Sequence, residues 1–331
     1  MHNKDAKSHM INNLTNTYTT ILRKISSLLV RVKYPAVPLA YKYFYRDTYV
    51  CRMVQLKYFF RDYIFKKKYK TVKYEGEFAA EIQFALPHAY WHFKNGTLKQ
   101  TLSFPGTKEL YFFSPDHKEC FNERTNEGNY NYEIPRIVYS QNYNMKKWMA
   151  VPLKEKYTND VYVFEKPILI IANKYNTEWD RPPISFFSID VLNSLINQLK
   201  NKYTIIYNRP QPKNIVSDNS IIYDLEEFEW LKQTHPDVIL LEDLYIENKI
   251  QADNFNHFQL CVYANCNHFI SIHGGTATLA SYFGGKNIIL SKEGPEHFFK
   301  CYEKLYPQLS SAEIYHAKTD DDLFLLVKTH L

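Results

Sequence analysis

The residues best suited to chemistry lie in one stretch, Ser271-Ile272-His273-Gly274-Gly275-Thr276-Ala277-Thr278-Leu279, which reads as a strand passing through two glycines into a helix. Gly274 and Gly275 let the backbone approach a ligand closely, and the helix that follows starts with free N–H groups at the positive end of its dipole. Thr276 and Thr278 add hydroxyl donors, and His273 ends the strand. A diphosphate fits such a place. A plain tight turn with a satisfied strand-end histidine fits it too. Five of the nine glycines (Gly274, Gly275, Gly284, Gly285, Gly294) fall within 21 residues, so backbone freedom is concentrated here. The chain has no Gly-Lys-Ser/Thr and no G-x-G-x-x-G, which removes the main support for phosphoryl transfer from ATP and for hydride transfer.

The elements that must position this stretch alternate regularly after Pro167. PILIIAN, TIIYNRP, VILLEDLY, HFISIHGG, KNIILSKEG and AEIYHAK read as strands, and helical patterns separate them, FFSIDVLNSLINQLKNKY being the strongest. That alternation predicts an α/β fold with a parallel sheet, whose ligands bind at the carboxyl ends of the strands. Residues 75–150 instead carry the short runs EIQFAL, ELYFFS and EIPRIVYS between turn signals, predicting a smaller α/β or β-rich unit. The proline-flanked, charged loop before Pro167 reads as the boundary. A chain of 331 residues is long enough for two packed units, and the expected division is 1–70, 71–158 and 159–331.

Charge divides the chain further. Residues 1–70 carry a balance of +12, so the remainder carries −6 out of an overall +6. A basic surface spread over the whole protein, as nucleic-acid binding would want, is excluded. From Ile21, the residues Ile21, Ile25, Leu28, Leu29 and Val32 recur at helical spacing, and a second basic, aromatic stretch runs to Lys70. Two readings fit it. Either its aromatics sit at a membrane boundary with Lys66, Lys67, Lys68 and Lys70 on anionic lipid, or it is a helix of the fold with aromatics in the core and charges in water. The start lacks the apolar run of a secretory signal, and the longest uncharged stretch, 254–285, is too rich in Asn, His and Gly to cross a membrane. With 45% hydrophobic and 23% charged residues the chain is no disordered segment, and five cysteines without metal-spaced pairs suit a reduced compartment.

The segments IIANKYNTEW, YTIIYNRP and FISIHGGTATLASYFGGKNIIL together resemble the donor-binding half of GT-B glycosyltransferases, and more narrowly the bacterial and viral glycosyltransferase-like proteins of surface-polysaccharide loci. The resemblance covers about residues 160–331 well and 75–150 weakly. It implies two Rossmann-like lobes with a cleft between them, and a nucleotide-sugar diphosphate held by His273, Gly274, Gly275, Thr276 and Thr278. Arg209 would pair with a phosphate through its guanidinium fork, or else cap a strand end at the surface. Asn173 and Lys174 would touch donor phosphate or acceptor, Lys174 being equally at home in water. Glu293 would hold ribose hydroxyls.

The two glutamates that many retaining members place eight positions apart have no counterpart, since the residue eight beyond Glu296 is Lys304. That departure favours inversion, with one base deprotonating the acceptor hydroxyl. The base is expected from the first lobe, at Asp116 or His117 in Ser114-Pro115-Asp116-His117, a tetrapeptide that could also be an ordinary turn. No strand-end D-x-D occurs, so a metal is not implied, and neither is a resident cofactor. The expected partners are a nucleotide sugar and a glycan or lipid-linked acceptor on the cytoplasmic face of a membrane, with no nucleic acid. A nucleotide-sugar epimerase on the same fold and a non-catalytic glycan- or lipid-binding module are the alternatives.

Overall fold

The apolar run Ile168–Ala172 is buried on both faces, as the middle strand of a parallel sheet must be. In the computed structural model, which describes residues 2–125, 127–135, 146–179, 181–211 and 220–331 (backbone alone for 2–17 and 127), that strand is central. The described strands form two parallel sheets. β1 (Lys70–Lys73), β2 (Leu98–Ser103) and β3 (His117–Glu119) pair in that order. β4 (Ile168–Ala172), β5 (Thr204–Asn208), β6 (Ile239–Leu240), β7 (His268–Ile272), β8 (Lys286–Leu290) and β9 (Glu313–Ala317) pair in the order β6-β5-β4-β7-β8-β9. Register runs Ile170 opposite Ile206 on one side and Ile170 opposite Phe269 on the other. Strand order therefore reverses between β4 and β7, which opens a crevice at their carboxyl ends.

Period-two alternation divides the larger sheet between two cores. Leu169 and Ile171 face one layer with Leu192, Leu195 and Ile196 of the helix Ile189–Leu199. Ser188 caps that helix by accepting from the Val191 N–H. Ile168, Ile170 and Ala172 face the other core, which runs without a break into Val72 and Leu98 of the smaller sheet and Ile82 beside it. The two sheets thus share one apolar core. Tyr282 Oη, in the second half, donates to the Ile82 carbonyl of the first at 2.7 Å.

The second half follows the expected alternation with one change: VILLEDLY supplies only the two-residue β6, and Leu241–Glu247 is helical with Glu242 and Asp243 in its first turn. The first half departs more. EIQFAL forms the π-helical stretch Glu81–Ala85 leading into the helix Leu86–Lys94, because the run is buried all round and carries no period to separate strand from helix. ELYFFS is a series of turns, Leu110 and Tyr111 N–H donating to the Thr107 carbonyl. Of EIPRIVYS, residues 136–140 lie outside the described residues.

The amino-terminal segment is not a unit apart. In the helix Leu39–Leu56, Phe44 and Tyr45 are buried against Phe299 of the second half, and the Cys51 thiol donates to the Ile134 carbonyl of the first. The preceding helix, His2–Lys33, buries Leu22, Ser26 and Val30, whereas the expected apolar face, Ile21, Ile25, Leu28, Leu29 and Val32, is exposed.

Candidate functional site

A cleft of about 1040 Å³ opens where β4 and β7 part, walled on its far side by the first half of the chain. His273, Gly274, Gly275 and Thr276 follow β7 into it, Asn173 and Lys174 follow β4, and Glu293 follows β8. Gly274 has φ +87°, a conformation that suits glycine, and it carries no side chain to cap the helix Gly275–Ala280. Gly275 is needed for space: a Cβ there would lie 2.9 Å from Phe78 Cδ1.

Within the cleft, Lys174 Nζ lies 2.8 Å from Glu178 Oε1, and His273 Nε2 lies 3.3 Å from Glu178 Oε2. Burial alone would raise the Glu178 carboxyl, but the approach of His273 and the charge of Lys174 outweigh it and hold it down to about 2. Burial, seconded by Lys174, lowers His273 to about 4. At neutral pH Glu178 is therefore a carboxylate and His273 a neutral imidazole. The imidazole Nε2 only approaches Glu178 Oε2, and neither the buried Nδ1 nor the Glu178 carboxylate oxygens meet a hydrogen-bond partner of good geometry among the described residues. Trp179 stacks on the His273 ring at 5.8 Å from a left-handed backbone conformation, φ +50°. Arg181 lies over that indole and pairs with Glu293 at 2.9 Å, both half exposed at the mouth.

Several expected residues serve the fold instead. Asn173 donates to the Phe187 carbonyl and the Tyr207 hydroxyl, each at 3.0 Å, and accepts from the Lys174 and Phe187 N–H groups, which fills its amide. Thr278 Oγ1 donates to the Gly274 carbonyl and accepts from Gln83 Nε2 at 3.0 Å. Arg209 does not line the cleft; its guanidinium forks onto the buried Glu227 carboxylate. Opposite charges that close leave no fork for a phosphate.

The expected base is displaced as well. His117 bonds Thr101 Oγ1 at 2.8 Å and Thr107 Oγ1 at 3.2 Å and stacks on Tyr111, while Asp116 pairs with Gln100 and Lys118. Neither residue lines the cleft. The strand expected before them is a series of turns, and His117 opens β3 rather than following a strand. Lys70, expected at a membrane, is buried and bonds Glu133 at 2.7 Å, because it starts β1; Lys66, Lys67 and Lys68 are exposed.

What the first half does bring to the cleft is Glu77, Phe78 and Arg124. Arg124 pairs with buried Glu81 at 2.8 Å. Glu77 adjoins Phe78, the residue in contact with Gly275, and its carboxylate has no partner among the described residues. Glu178 and Trp179 end the very segment IIANKYNTEW that pointed to this fold, and Glu178 follows Lys174 by four, the one signal that could have singled it out. Among the described residues, Glu109, Asp253 and His257 bring potential metal-ligand atoms within 4.8 Å of one another, but none of the three lines the cleft.

No family model matches the chain, and no curated protein matches it.

Proposed function

We propose that the protein transfers a sugar from a nucleotide-diphosphate donor to a glycan or glycolipid acceptor, as the resemblance to GT-B enzymes implies, and does so with inversion, as the absent glutamate pair favours. The observation that carries this reading is the position of the Gly274-Gly275 turn: it opens at the reversal point of a six-stranded parallel sheet, beside Lys174, in a cleft whose far wall comes from the other half. Lys174 and the first amides of the helix Gly275–Ala280 offer positive charge to a diphosphate, and Thr276 a hydroxyl. Trp179 offers a flat face to a base or sugar, and Glu293 a carboxylate to ribose.

Glu77 takes the place expected for His117. The acceptor oxygen attacks the anomeric carbon, its proton passes to the Glu77 carboxylate, and the bond to the diphosphate breaks with the electron pair leaving on phosphate oxygen. His273, kept neutral, stands 3.3 Å from Glu178, which pairs with Lys174.

Titration with UDP-, GDP-, CMP- and dTDP-sugars under thermal denaturation tests this. One of them should stabilise by about 2.7 kcal/mol at 100 times its dissociation constant; no response to any would overturn the reading. A non-catalytic module is the second reading, favoured by the distance of Asp116 and His117 from the cleft and by the carboxylate partners of Lys174 and Arg181. It predicts donor binding without release of nucleoside diphosphate in the presence of any acceptor.

A further inference from the structure

The amino-terminal segment leaves two apolar surfaces in water. On the helix His2–Lys33, Ile21, Ile25, Leu28, Leu29 and Val32 point away from the protein, Val32 being 76% exposed. Beyond the helix Leu39–Leu56, the π-helical turn Phe60–Phe65 and the residue before it expose Phe59, Phe60, Tyr63, Ile64 and Phe65, with Phe60 62% exposed. Lys66 ends this turn in a left-handed conformation, its N–H returning to the Arg61 carbonyl, so the turn is a hydrogen-bonded feature. Apolar groups this large and this close together in sequence are not left in water without an occupant.

Charge selects the occupant. Arg61, Lys66, Lys67 and Lys68 surround the turn exposed and without an ion-pair partner among the described residues. The acid of the turn, Asp62, is withdrawn from the surface and pairs with buried Lys147. Arg23, Lys24 and Arg31 flank the helix stripe in the same way. Two copies of the chain meeting through these surfaces would set like charge against like, whereas an anionic bilayer neutralises it and takes up the aromatic and aliphatic side chains at the headgroup boundary. Among the described residues no helix is long and apolar enough to cross a membrane, so the contact lies along the surface.

We infer that the Phe60–Phe65 turn with Lys66–Lys68, and the outer stripe of the first helix, dock on an anionic lipid bilayer and insert their exposed apolar side chains. No residue of the turn or of the stripe lines the cleft, so this face stands or falls independently of the donor reading.

Sedimentation of the full chain with vesicles tests it, using phosphatidylcholine alone or with one-third phosphatidylserine. The wild type should pellet with the mixed vesicles and at least tenfold less with the neutral ones. Lys66→Glu/Lys67→Glu/Lys68→Glu should lower the bound fraction at low salt by tenfold or more. Phe60→Asp/Phe65→Asp and Leu28→Asp/Val32→Asp should each do so with every lysine in place. These positions are exposed, so the variants should keep the wild-type melting temperature. Wild-type protein that stays in the supernatant with both vesicles, or variants that bind as it does, would overturn the inference. So would a concentration-dependent dimer in light scattering that Phe60→Asp/Phe65→Asp abolishes in a protein indifferent to vesicles, since a second copy would then be the occupant.

Discussion

Phe78, from the first half of the chain, occupies the space a side chain on Gly275 would need: an added Cβ would stand 2.9 Å from its ring. The glycine turn and the opposite wall of the cleft are therefore fitted to each other. Gly275→Ala should cost about 1–3 kcal/mol by overpacking. The penalty should shrink when Phe78 is also replaced by Ala, a coupling that urea denaturation of the four proteins of the cycle would measure. Additive effects would mean that the backbone, rather than the ring, excludes a side chain there.

Arg209 and Glu227 form a buried bidentate pair, and the consequence is stability. Arg209→Ala should lower unfolding free energy by about 3–5 kcal/mol, because the Glu227 carboxylate is left buried and uncompensated. Arg209→Met combined with Glu227→Leu should recover most of that loss. Calorimetry decides it, and nucleotide affinity of the folded protein should be unchanged in both variants.

His273 and Glu178 make stability fall with acid in two successive windows. His273 is lowered to about 4 in the fold, so between pH 6.5 and 4 the unfolded chain takes up a proton that the folded one refuses, and stability drops as pH falls. Glu178, lowered to about 2, contributes stability that is complete above about pH 4.5 and is lost below it. Burial lowers His297 to about 4 and His88 to about 3, so they slope in the same direction. The contribution of His273 is thus the difference between wild type and His273→Asn. That difference should change between pH 6.5 and 4 and be flat above 7 in denaturation midpoints; a constant difference would mean that His273 titrates normally.

On the proposed function, Glu77 and Lys174 should separate chemistry from binding. Glu77→Gln should lower transfer by about 10²–10⁴-fold and leave donor affinity within twofold, as expected for a base that touches only the acceptor. Lys174→Met together with Glu178→Gln, which removes both charges, should weaken donor binding by about tenfold or more. Calorimetric titration and product release read the two effects separately. Transfer that survives Glu77→Gln would return the search for the base to the cleft's other residues.

The second half of this protein is written locally. A run such as Ile168–Ala172, a helix with Ser188 as its cap and five buried apolar residues on one face, and a glycine pair after a strand each state their own structure through neighbours in the chain, so the parallel sheet and its glycine turn could be read in advance. The first half is written through distant contacts. Glu81–Ala85 is buried on every side, which erases the period that distinguishes strand from helix, and only packing against the other sheet decides the matter. Arg209 and His117 had the right chemical types for a site, but a side chain's task depends on what the fold sets beside it. Glu227, 18 residues on, claims the guanidinium, and Thr101 and Thr107 claim the imidazole. Glu77 and Phe78 enter the cleft because the two halves share one core, a relation between residues some 200 apart that no local pattern records. The basic, aromatic amino terminus combined two readings in one composition. Tertiary packing divided it, burying Phe44, Tyr45 and Lys70 and leaving Phe60, Phe65 and Lys66–Lys68 outside, because the helix Leu39–Leu56 had a core to meet and the turn beyond it had none.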